Sequence, residues 1–331
     1  MSKQHPIVAV TGSAGAGLST VRHAFKFIFR RLGIRPVIVH GDSFRRYTER
    51  QFAALLEEAR SSGRHLSWFG PECNHFPELE AFFKTYGECG SGVYRQYAHS
   101  ADHALDLGVP AGEFSAWKPM PPGADLLFYE GQHGGLVANT WTRRRISSLP
   151  WGANGVATGV TTGVATGVAT FPPEIDRRVG KPGIDVAQHV DLLIGLAPAI
   201  NLEWIQKIHR DCDKGICSPE ESVETILRRL DDYLHYIVPQ FGLTDINIQR
   251  MPLVDTSNPF IARDVPVAEE SICIIHFRDG QRHDFPSILK SISGAYMSRP
   301  TTLVIPCGKL RLALEVICAP ILAEFMAARE A

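Results

Sequence analysis

The segment from Gly12 to Thr20 has the residue types and the setting of a phosphate-binding loop. It reads GSAGAGLST, follows a short β-rich run and precedes a helical pattern. Glycines let consecutive backbone N–H groups turn toward phosphate oxygens, and the N-terminus of the next helix adds a favourable dipole. The predicted nucleotide-binding residues are Gly12, Ser13, Ala14, Gly15, Ala16, Gly17, Leu18, Ser19 and Thr20. The hydroxyl of Ser19 stands where such loops bind Mg²⁺.

One position of this loop departs from the usual signature, G-x-x-x-x-G-K-[ST]. Leu18 occupies the Lys position, and that Lys normally contacts the β- and γ-phosphates of the nucleotide. An ordinary Gly-rich turn between a strand and a helix would look similar. If the loop binds ATP, the missing positive charge must come from elsewhere in the chain.

Two carboxylates directly follow predicted strands. Asp42 comes after the strand at 36–40, and Glu130 ends the strand at 126–129. Because ligands collect at the carboxyl ends of parallel strands, both should face the same edge as the loop. A kinase acting on a sugar hydroxyl needs one carboxylate as base and one near Mg²⁺. We assign Asp42 to the first role and Glu130 to the second, although each alone could be a helix cap or a solvated turn acid.

A predicted helix over residues 200–211, INLEWIQKIHRD, carries the candidate cations. Lys207, Arg210 and Asp211 have the i, i+3, i+4 spacing that places side chains on one helical face. Lys207 and Arg210 could therefore supply the charge that Leu18 does not. A solvated face of an amphipathic helix would show the same cluster.

The composition limits the other classes of function. The 331 residues are 44% hydrophobic and carry a formal net charge of -1, so no overall field attracts nucleic acid or a membrane. No apolar run reaches the ~18 residues of a membrane span, and the start lacks a signal-peptide pattern. Seven scattered cysteines without a CxxC pair fit a reduced compartment. We expect a cytoplasmic protein.

The order of predicted elements indicates an α/β fold of the P-loop nucleoside triphosphate hydrolase type. We expect a mixed sheet flanked by helices, with extra C-terminal strands and a helix. Predicted strands lie at 7–10, 36–40, 126–129, 190–197, 251–255, 271–278 and 302–306. A first predicted helix ends near Leu32, and others lie at 49–62, 77–86, 199–208, 219–238 and 309–328.

Residues 155–170 interrupt this pattern with an uncharged GVAT-type repeat. Gly at every fourth position argues against a packed element, although the alternation could also support a strand or an aggregation-prone ribbon. We interpret about 140–184 as a low-complexity surface insertion in a single domain that spans 1–331.

Several strings together resemble the bacterial phosphoribulokinases. They are GSAGAGLST, VHGDSFRRY, LLFYEGQHG, NLEWIQKIHRD, IVPQFGLTDINIQR and VDTSNPFIAR, and the similarity covers most of 5–139 and 185–328. The resemblance implies transfer of a phosphoryl group from Mg·ATP to the C1 hydroxyl of ribulose 5-phosphate, a Calvin-cycle step. It also implies a phosphate loop without Lys, and a homo-oligomer similar to an octamer, with NADH as activator and AMP as inhibitor.

The resemblance also implies roles for single residues of the catalytic region. Asp42 matches the family's catalytic base, and Glu130 matches the second acid, on the metal side. Lys207, Arg210 and Asp211 match the basic segment that serves ATP and the sugar phosphate.

Four further residues match positions around the substrate and the subunit boundary. His99, in YRQYAH, matches a residue associated with ribulose 5-phosphate, and Lys214 stands where the family usually has Arg. Arg228 and Arg229 match an Arg pair near the subunit and effector region.

Three positions after Asp42 depart from the family pattern of a His, a basic residue and a Lys. They hold Arg45, Glu49 and Ala53. An anion gained and a cation lost beside an anionic substrate should weaken its binding. Arg46 and Arg50 lie within a residue or two of the lost charges and could compensate as substrate-binding residues.

Three hypotheses therefore stand for the function. The first is an active phosphoribulokinase. The second is a related kinase of the uridine kinase type with another acceptor, which NLEWIQKIHRD and DTSNPFIAR disfavour. The third is a degenerate nucleotide-binding homologue with a regulatory or structural role, which the departures at Arg45, Glu49 and Ala53 support. No cysteine lies in the phosphate loop or near Asp42, so the thiol switch of the plant-type enzymes is not expected.

Overall fold

The computed structural model describes residues 4–12, 17–138, 183–213, 218–259 and 264–330. The strands in these ranges are β1 (Ile7–Gly12), β2 (Pro36–His40), β3 (Val93–Tyr94), β4 (Lys118–Pro119), β5 (Leu126–Gly131), β6 (Val137–Ala138), β7 (Ile184–Asp185), β8 (Leu192–Pro198), β9 (Ile246–Pro252), β10 (Ser271–Phe277), β11 (Tyr296–Arg299) and β12 (Thr302–Pro306). The helices are α1 (Leu18–Leu32), α2 (Glu49–Ser61), α3 (Phe76–Cys89), α4 (Ala101–Leu107), α5 (Ile200–Asp213), α6 (Pro219–Asp232), α7 (Val238–Phe241), α8 (Phe285–Ser291) and α9 (Leu310–Glu330).

An eight-stranded sheet lies at the centre, in the order β11-β12-β10-β9-β8-β1-β5-β2. The five strands from β9 to β2 run parallel, and β10, β12 and β11 continue the sheet with antiparallel pairings. The predicted mixed α/β sheet is therefore confirmed. The carboxyl ends of β1, β2, β5 and β8 meet at one edge, which we call the ligand edge.

The central strands are apolar on both faces, as strands covered by helices on two sides should be. Along β1, Val8 and Val10 join an apolar cluster that includes α1 and α9, while Ile7 and Ala9 join a second cluster that includes α3. Because these clusters enclose the sheet, the ligand edge is built on a rigid base.

Two predicted boundaries were wrong. The strand predicted at 251–255 is β9, Ile246–Pro252. Its pairing with β10 ends at Pro252 opposite Ser271, and the apolar Leu253 beyond it is 64% exposed. The helix predicted at 219–238 stops as an α-helix at Asp232 and continues as a π-helical turn, Tyr233–Ile237. Pro239 explains this turn, because proline has no N–H and its ring clashes with the carbonyl four residues earlier.

The predicted insertion at 140–184 lies almost wholly outside the described residues. At its C-terminal end, Ile184 belongs to β7 and pairs with Ala138 of β6, so the two segments that flank the predicted insertion lie side by side. Among the helices of the described ranges, none has both the length and the apolar character needed to cross a membrane.

Candidate active site

The Gly-rich segment begins where β1 ends at the ligand edge. Gly17 has a φ of 96°, in the left-handed region that favours glycine, and its carbonyl accepts from Thr20 N at 3.0 Å as α1 begins. Leu18 is partly buried against the cluster that includes α1 and α9, so at the start of α1 it contributes to packing. Residues Ser13 to Ala16 and the side chain of Ser19 lie outside what the structure describes.

Asp42 and Glu130 are brought to neighbouring positions by two glycines. Asp42 follows β2 in a 3₁₀ turn, Gly41–Phe44, and Glu130 pairs in register with Val10 of β1. A Cβ built on Gly131 would lie 2.8 Å from Cα of Gly41, which no real side chain tolerates. Glycine at these two positions therefore lets the two strand ends approach each other.

Glu130 is buried and only half satisfied. Its Oε1 lies 2.7 Å from Nε of Arg22 and 2.6 Å from Nδ1 of His40. Its Oε2 is buried and has no hydrogen-bond partner among the described residues.

This free carboxylate oxygen fits a hard divalent cation. Mg²⁺ is usually held by one or two carboxylates together with nucleotide phosphates and water. Within the described ranges no group of three His, Cys, Asp or Glu side chains could hold a metal alone. Glu130 therefore suits a cation that a nucleotide brings with it.

Asp42 is held by two basic side chains. Its Oδ1 lies 2.7 Å from Nη2 of Arg45, and its Oδ2 lies 3.0 Å from Nε2 of His99. Burial alone would raise the pKa of this carboxyl, but the hydrogen bond with His99 and the charge of Arg45 lower it below its ordinary value. Asp42 is therefore ionised at neutral pH.

Arg45 is itself fixed from the far side. Its guanidinium carbon lies 4.8 Å from the ring centroid of Trp68, a cation–π distance. Its carbonyl accepts a hydrogen bond from the guanidinium of Arg95, which also donates to Ser43 O at 3.2 Å. Arg45 thus holds Asp42 from an ordered position.

Lys207, Arg210 and Asp211 lie together on α5, as their spacing predicts. Asp211 is buried and forms an ion pair with Lys207, and Nε of Arg210 lies 3.7 Å from its Oδ1. Ser222 of α6 donates to Asp211 at 3.4 Å. Burial lowers the pKa of Lys207, and the hydrogen bond with Asp211 opposes that shift.

Arg229 of α6 lies within electrostatic range of both Asp211 and Arg45. Burial, followed by the charge of Arg228, lowers the pKa of Arg229 to about 10, and Asp211 and Arg45 also act on it. Its Nε is buried without a hydrogen-bond partner in the described part of the chain.

Arg46 and Arg50, which were predicted to replace the lost positive charges near Asp42, have no contact with Asp42 among the contacts of the described residues. Nε of Arg46 donates to the carbonyls of Pro71 at 3.3 Å and Asn74 at 3.1 Å. Arg46 lines a cavity of about 1030 Å³, and Asp42 is absent from its lining. Arg50 is exposed, as are Glu49 and Ala53. Lys214 falls outside the described residues.

Sequence reasoning missed Gln240, a fully buried side chain behind the ligand edge. Its Oε1 accepts from Thr11 Oγ1 at 2.6 Å and from Gly135 N at 2.9 Å, and its Nε2 donates to Gln132 O at 2.8 Å. Gln240 therefore joins the end of β1 to the loop after Glu130. A glutamine inside the apolar string IVPQFG was the available signal.

A sheet with five parallel strands, a Gly-rich segment after its first strand, two acids at neighbouring strand ends and a helix that carries Lys207 and Arg210 are typical of a kinase of the P-loop class. Residues 7–148 and 173–257 match the Phosphoribulokinase / Uridine kinase family. The chain belongs to this family.

Relatives resemble the chain along its whole length. It is 41% identical over 326 residues to the "Probable phosphoribulokinase" of Escherichia coli K12, covering 98% of each chain. It is 40% identical over 331 residues to the chromosomal phosphoribulokinase of Cupriavidus necator, covering 100% of this chain and 99% of the relative. A solved phosphoribulokinase structure from Rhodobacter spheroides matches with a TM-score of 0.79 at 38% identity and covers both chains completely.

Proposed function

We propose that this protein transfers the γ-phosphoryl group of ATP to the C1 hydroxyl of D-ribulose 5-phosphate. The products are ribulose 1,5-bisphosphate and ADP, a step of the Calvin cycle. The observation that carries this proposal is the similarity to phosphoribulokinases along the whole chain. The match with the Cupriavidus necator relative covers 100% of this chain and 99% of the relative.

On the nucleotide side, backbone N–H groups of the loop from Gly12 to Thr20 bind the phosphates. Oε2 of Glu130 and the Ser19 hydroxyl would hold Mg²⁺, which would neutralise charge on the phosphates during transfer. Arg22 and His40 engage the other oxygen of Glu130, so that Oε2 stays directed to the ligand.

On the sugar side, Asp42 accepts the proton of the C1 hydroxyl as that oxygen attacks the γ-phosphorus. His99, Arg46, Arg50 and Lys214 are the proposed substrate-binding residues. Arg45 neutralises Asp42 in the absence of substrate, so we expect the substrate hydroxyl to displace part of this contact when it binds. Such displacement restores proton affinity to Asp42 at the moment of transfer.

On the basic helix, Lys207 and Arg210 neutralise charge on the transferred group, and Asp211 orients Lys207. The ion pair between Lys207 and the buried Asp211 supports these separate roles of the two residues, because an ammonium group that is already fixed loses little entropy when the phosphate binds.

The proposal extends to regulation and assembly. By resemblance, the chain forms a homo-oligomer, an octamer, that NADH activates and AMP inhibits. It acts in the cytoplasm as a single domain with a surface insertion at about 140–184 and has no nucleic-acid or membrane partner.

One observation favours the degenerate homologue as a second candidate. The proposed base is already paired with Arg45, at a position where the family usually has His. A protein of this kind would bind ATP without turning over ribulose 5-phosphate.

A panel of acceptors separates the candidates. Purified protein is given Mg·ATP with ribulose 5-phosphate, ribose 5-phosphate, uridine or no acceptor, and ADP is measured. We expect ADP release to depend on ribulose 5-phosphate. Release that depends on uridine would indicate the uridine kinase type, and ATP binding without acceptor-dependent release would indicate the degenerate homologue.

A further inference from the structure

Two cysteines outside the proposed active site lie in direct contact. Cys273 lies on β10 and is fully buried, and Cys307 follows β12 at the start of a 3₁₀ turn, Cys307–Lys309. The thiol of Cys273 donates a hydrogen bond to the sulfur of Cys307 across 3.2 Å. These sulfurs lie about 1 Å further apart than bonded sulfurs.

The backbone holds this pair in place from both sides. Cys273 is paired in register with Ile305 of β12, two residues before Cys307, and with Arg250 of β9. The two side chains therefore meet across adjacent antiparallel strands, where side chains two residues out of register remain within reach. To form a bond, the two sulfurs must approach each other by about 1 Å.

The two thiols differ in character. Cys307 is partly exposed, whereas Cys273 is buried. The hydrogen bond from Cys273 and the charge of Arg250 outweigh burial and lower the pKa of Cys307, while the same bond raises the pKa of Cys273. Cys307 is thus the accessible nucleophile and Cys273 the protected thiol behind it.

We propose that Cys273 and Cys307 form a reversible disulfide in the folded protein, with a low-molecular-weight disulfide as the oxidant. The thiolate of Cys307 attacks one sulfur of the oxidant, displaces a thiolate and forms a mixed disulfide. Cys273 then loses its proton and attacks the Cys307 sulfur, and the second displaced thiolate takes up a proton. Two protein thiols are oxidised, and one small disulfide is reduced to two thiols.

The disulfide would lie at the same sheet edge as the phosphate loop. Arg250, the in-register neighbour of Cys273, lines a small cavity of about 30 Å³ together with Gly17 and Pro198. The cysteine pair therefore lies near the proposed nucleotide site, although the proposed kinase chemistry uses neither cysteine.

The test is oxidation of the folded full-length chain. Reduced protein is incubated without oxygen with glutathione disulfide, quenched with N-ethylmaleimide, digested and examined by peptide mass spectrometry, while circular dichroism checks that the chain stays folded. We expect one linked peptide pair that joins positions 273 and 307 and is cleaved by dithiothreitol. C89S, which removes an exposed thiol, should leave this product unchanged.

Two single variants separate the steps. In C273S, Cys307 should keep glutathione as a mixed disulfide, and in C307S, Cys273 should remain unmodified. If C273S does not fold, the wild type and C307S decide the matter. A wild-type chain that keeps glutathione on Cys307 without a link to Cys273, or that forms the link only in urea, would overturn the proposal.

Discussion

Nη2 of Arg45 lies 2.7 Å from Oδ1 of Asp42, so the carboxylate proposed as the base already faces a fixed cation. His99 contacts the other carboxylate oxygen at 3.0 Å. Both contacts favour the ionised form and lower the pKa of Asp42, against the effect of burial. The base is therefore charged over the whole neutral range, and its proton affinity depends on how far substrate loosens these contacts.

Replacing Arg45 by glutamine should raise the pKa of Asp42, because one of the two contacts that oppose burial is removed. Asp42 can accept a proton only in its ionised form, which is present above its pKa and disappears as the pH falls through that pKa. In R45Q the acidic limb of kcat/KM should therefore move to higher pH.

The matched control is R46Q, which removes the same charge one residue away. Arg46 donates to backbone carbonyls and not to Asp42, so R46Q should leave the acidic limb in place even if it raises the KM for ribulose 5-phosphate. An acidic limb that moves equally in both variants would show that Arg45 has no specific influence on Asp42.

Replacing Glu130 by glutamine should weaken the use of Mg²⁺. The buried Oε2, which has no hydrogen-bond partner in the described ranges, becomes a neutral amide group or carbonyl. We expect the Mg²⁺ concentration for half-maximal rate to rise by at least ~10-fold. E315Q removes a carboxylate that pairs with Arg31 in the last turn of α1, at the opposite end of that helix from the phosphate loop, and should leave the Mg²⁺ dependence unchanged. An unchanged Mg²⁺ dependence in E130Q would remove Glu130 from the metal side.

Replacing Gln240 by leucine should destabilise the fold behind the ligand edge. The variant removes the buried partner of Gly135 N, and it removes one of the two partners of Thr11 Oγ1 and of Gln132 O, which keep a 3.2 Å hydrogen bond to each other. We expect the free energy of unfolding in urea to fall by about 2–4 kcal/mol, since an unsatisfied buried group costs about 1–3 kcal/mol and each lost hydrogen bond about 1 kcal/mol.

Gln249 offers a control of the same residue type. It makes one long bond, 3.4 Å, to Pro198 O and is only partly buried. Q249L should therefore cost less than ~1 kcal/mol. Equal losses of unfolding free energy in Q240L and Q249L would mean that the hydrogen bonds of Gln240 do not specifically stabilise the loop after Glu130.

The sequence predicted the central strands and the ligand edge because buried parallel strands have a simple sequence pattern, a short apolar run that ends at glycine or polar residues. The apolar run IVAV, followed by Thr11 and Gly12, has few other interpretations, and it correctly located β1. The strand β9 was placed too late because the apolar residues Met251, Leu253 and Val254 outweighed the alternating pattern before them. In the structure, the pairing partner β10 begins at Ser271 and thereby ends β9 at Pro252.

The contacts within the site depend on distant residues, which local patterns do not reveal. His99 reaches Asp42 from a loop before α4, and Arg45 is held by Trp68 and Arg95. Gln240 contacts Thr11 and Gly135, which lie more than 100 residues away along the chain. The sequence therefore placed Asp42 and Glu130 after neighbouring strands of one sheet, and the structure adds the contacts that these two carboxylates make.

The most direct test of the central claim is ADP release by wild type and D42N with Mg·ATP and ribulose 5-phosphate. We predict that release by the wild type depends on ribulose 5-phosphate, and that D42N lowers kcat by about 10²–10⁴-fold with ATP binding unchanged within about 2-fold. The amide oxygen of D42N can still accept from Arg45, and its NH2 can donate to His99 Nε2 when that nitrogen is unprotonated, so the variant removes the base with little change of shape. Full turnover by D42N, or a wild type that binds ATP but releases no ADP with this sugar, would contradict the account.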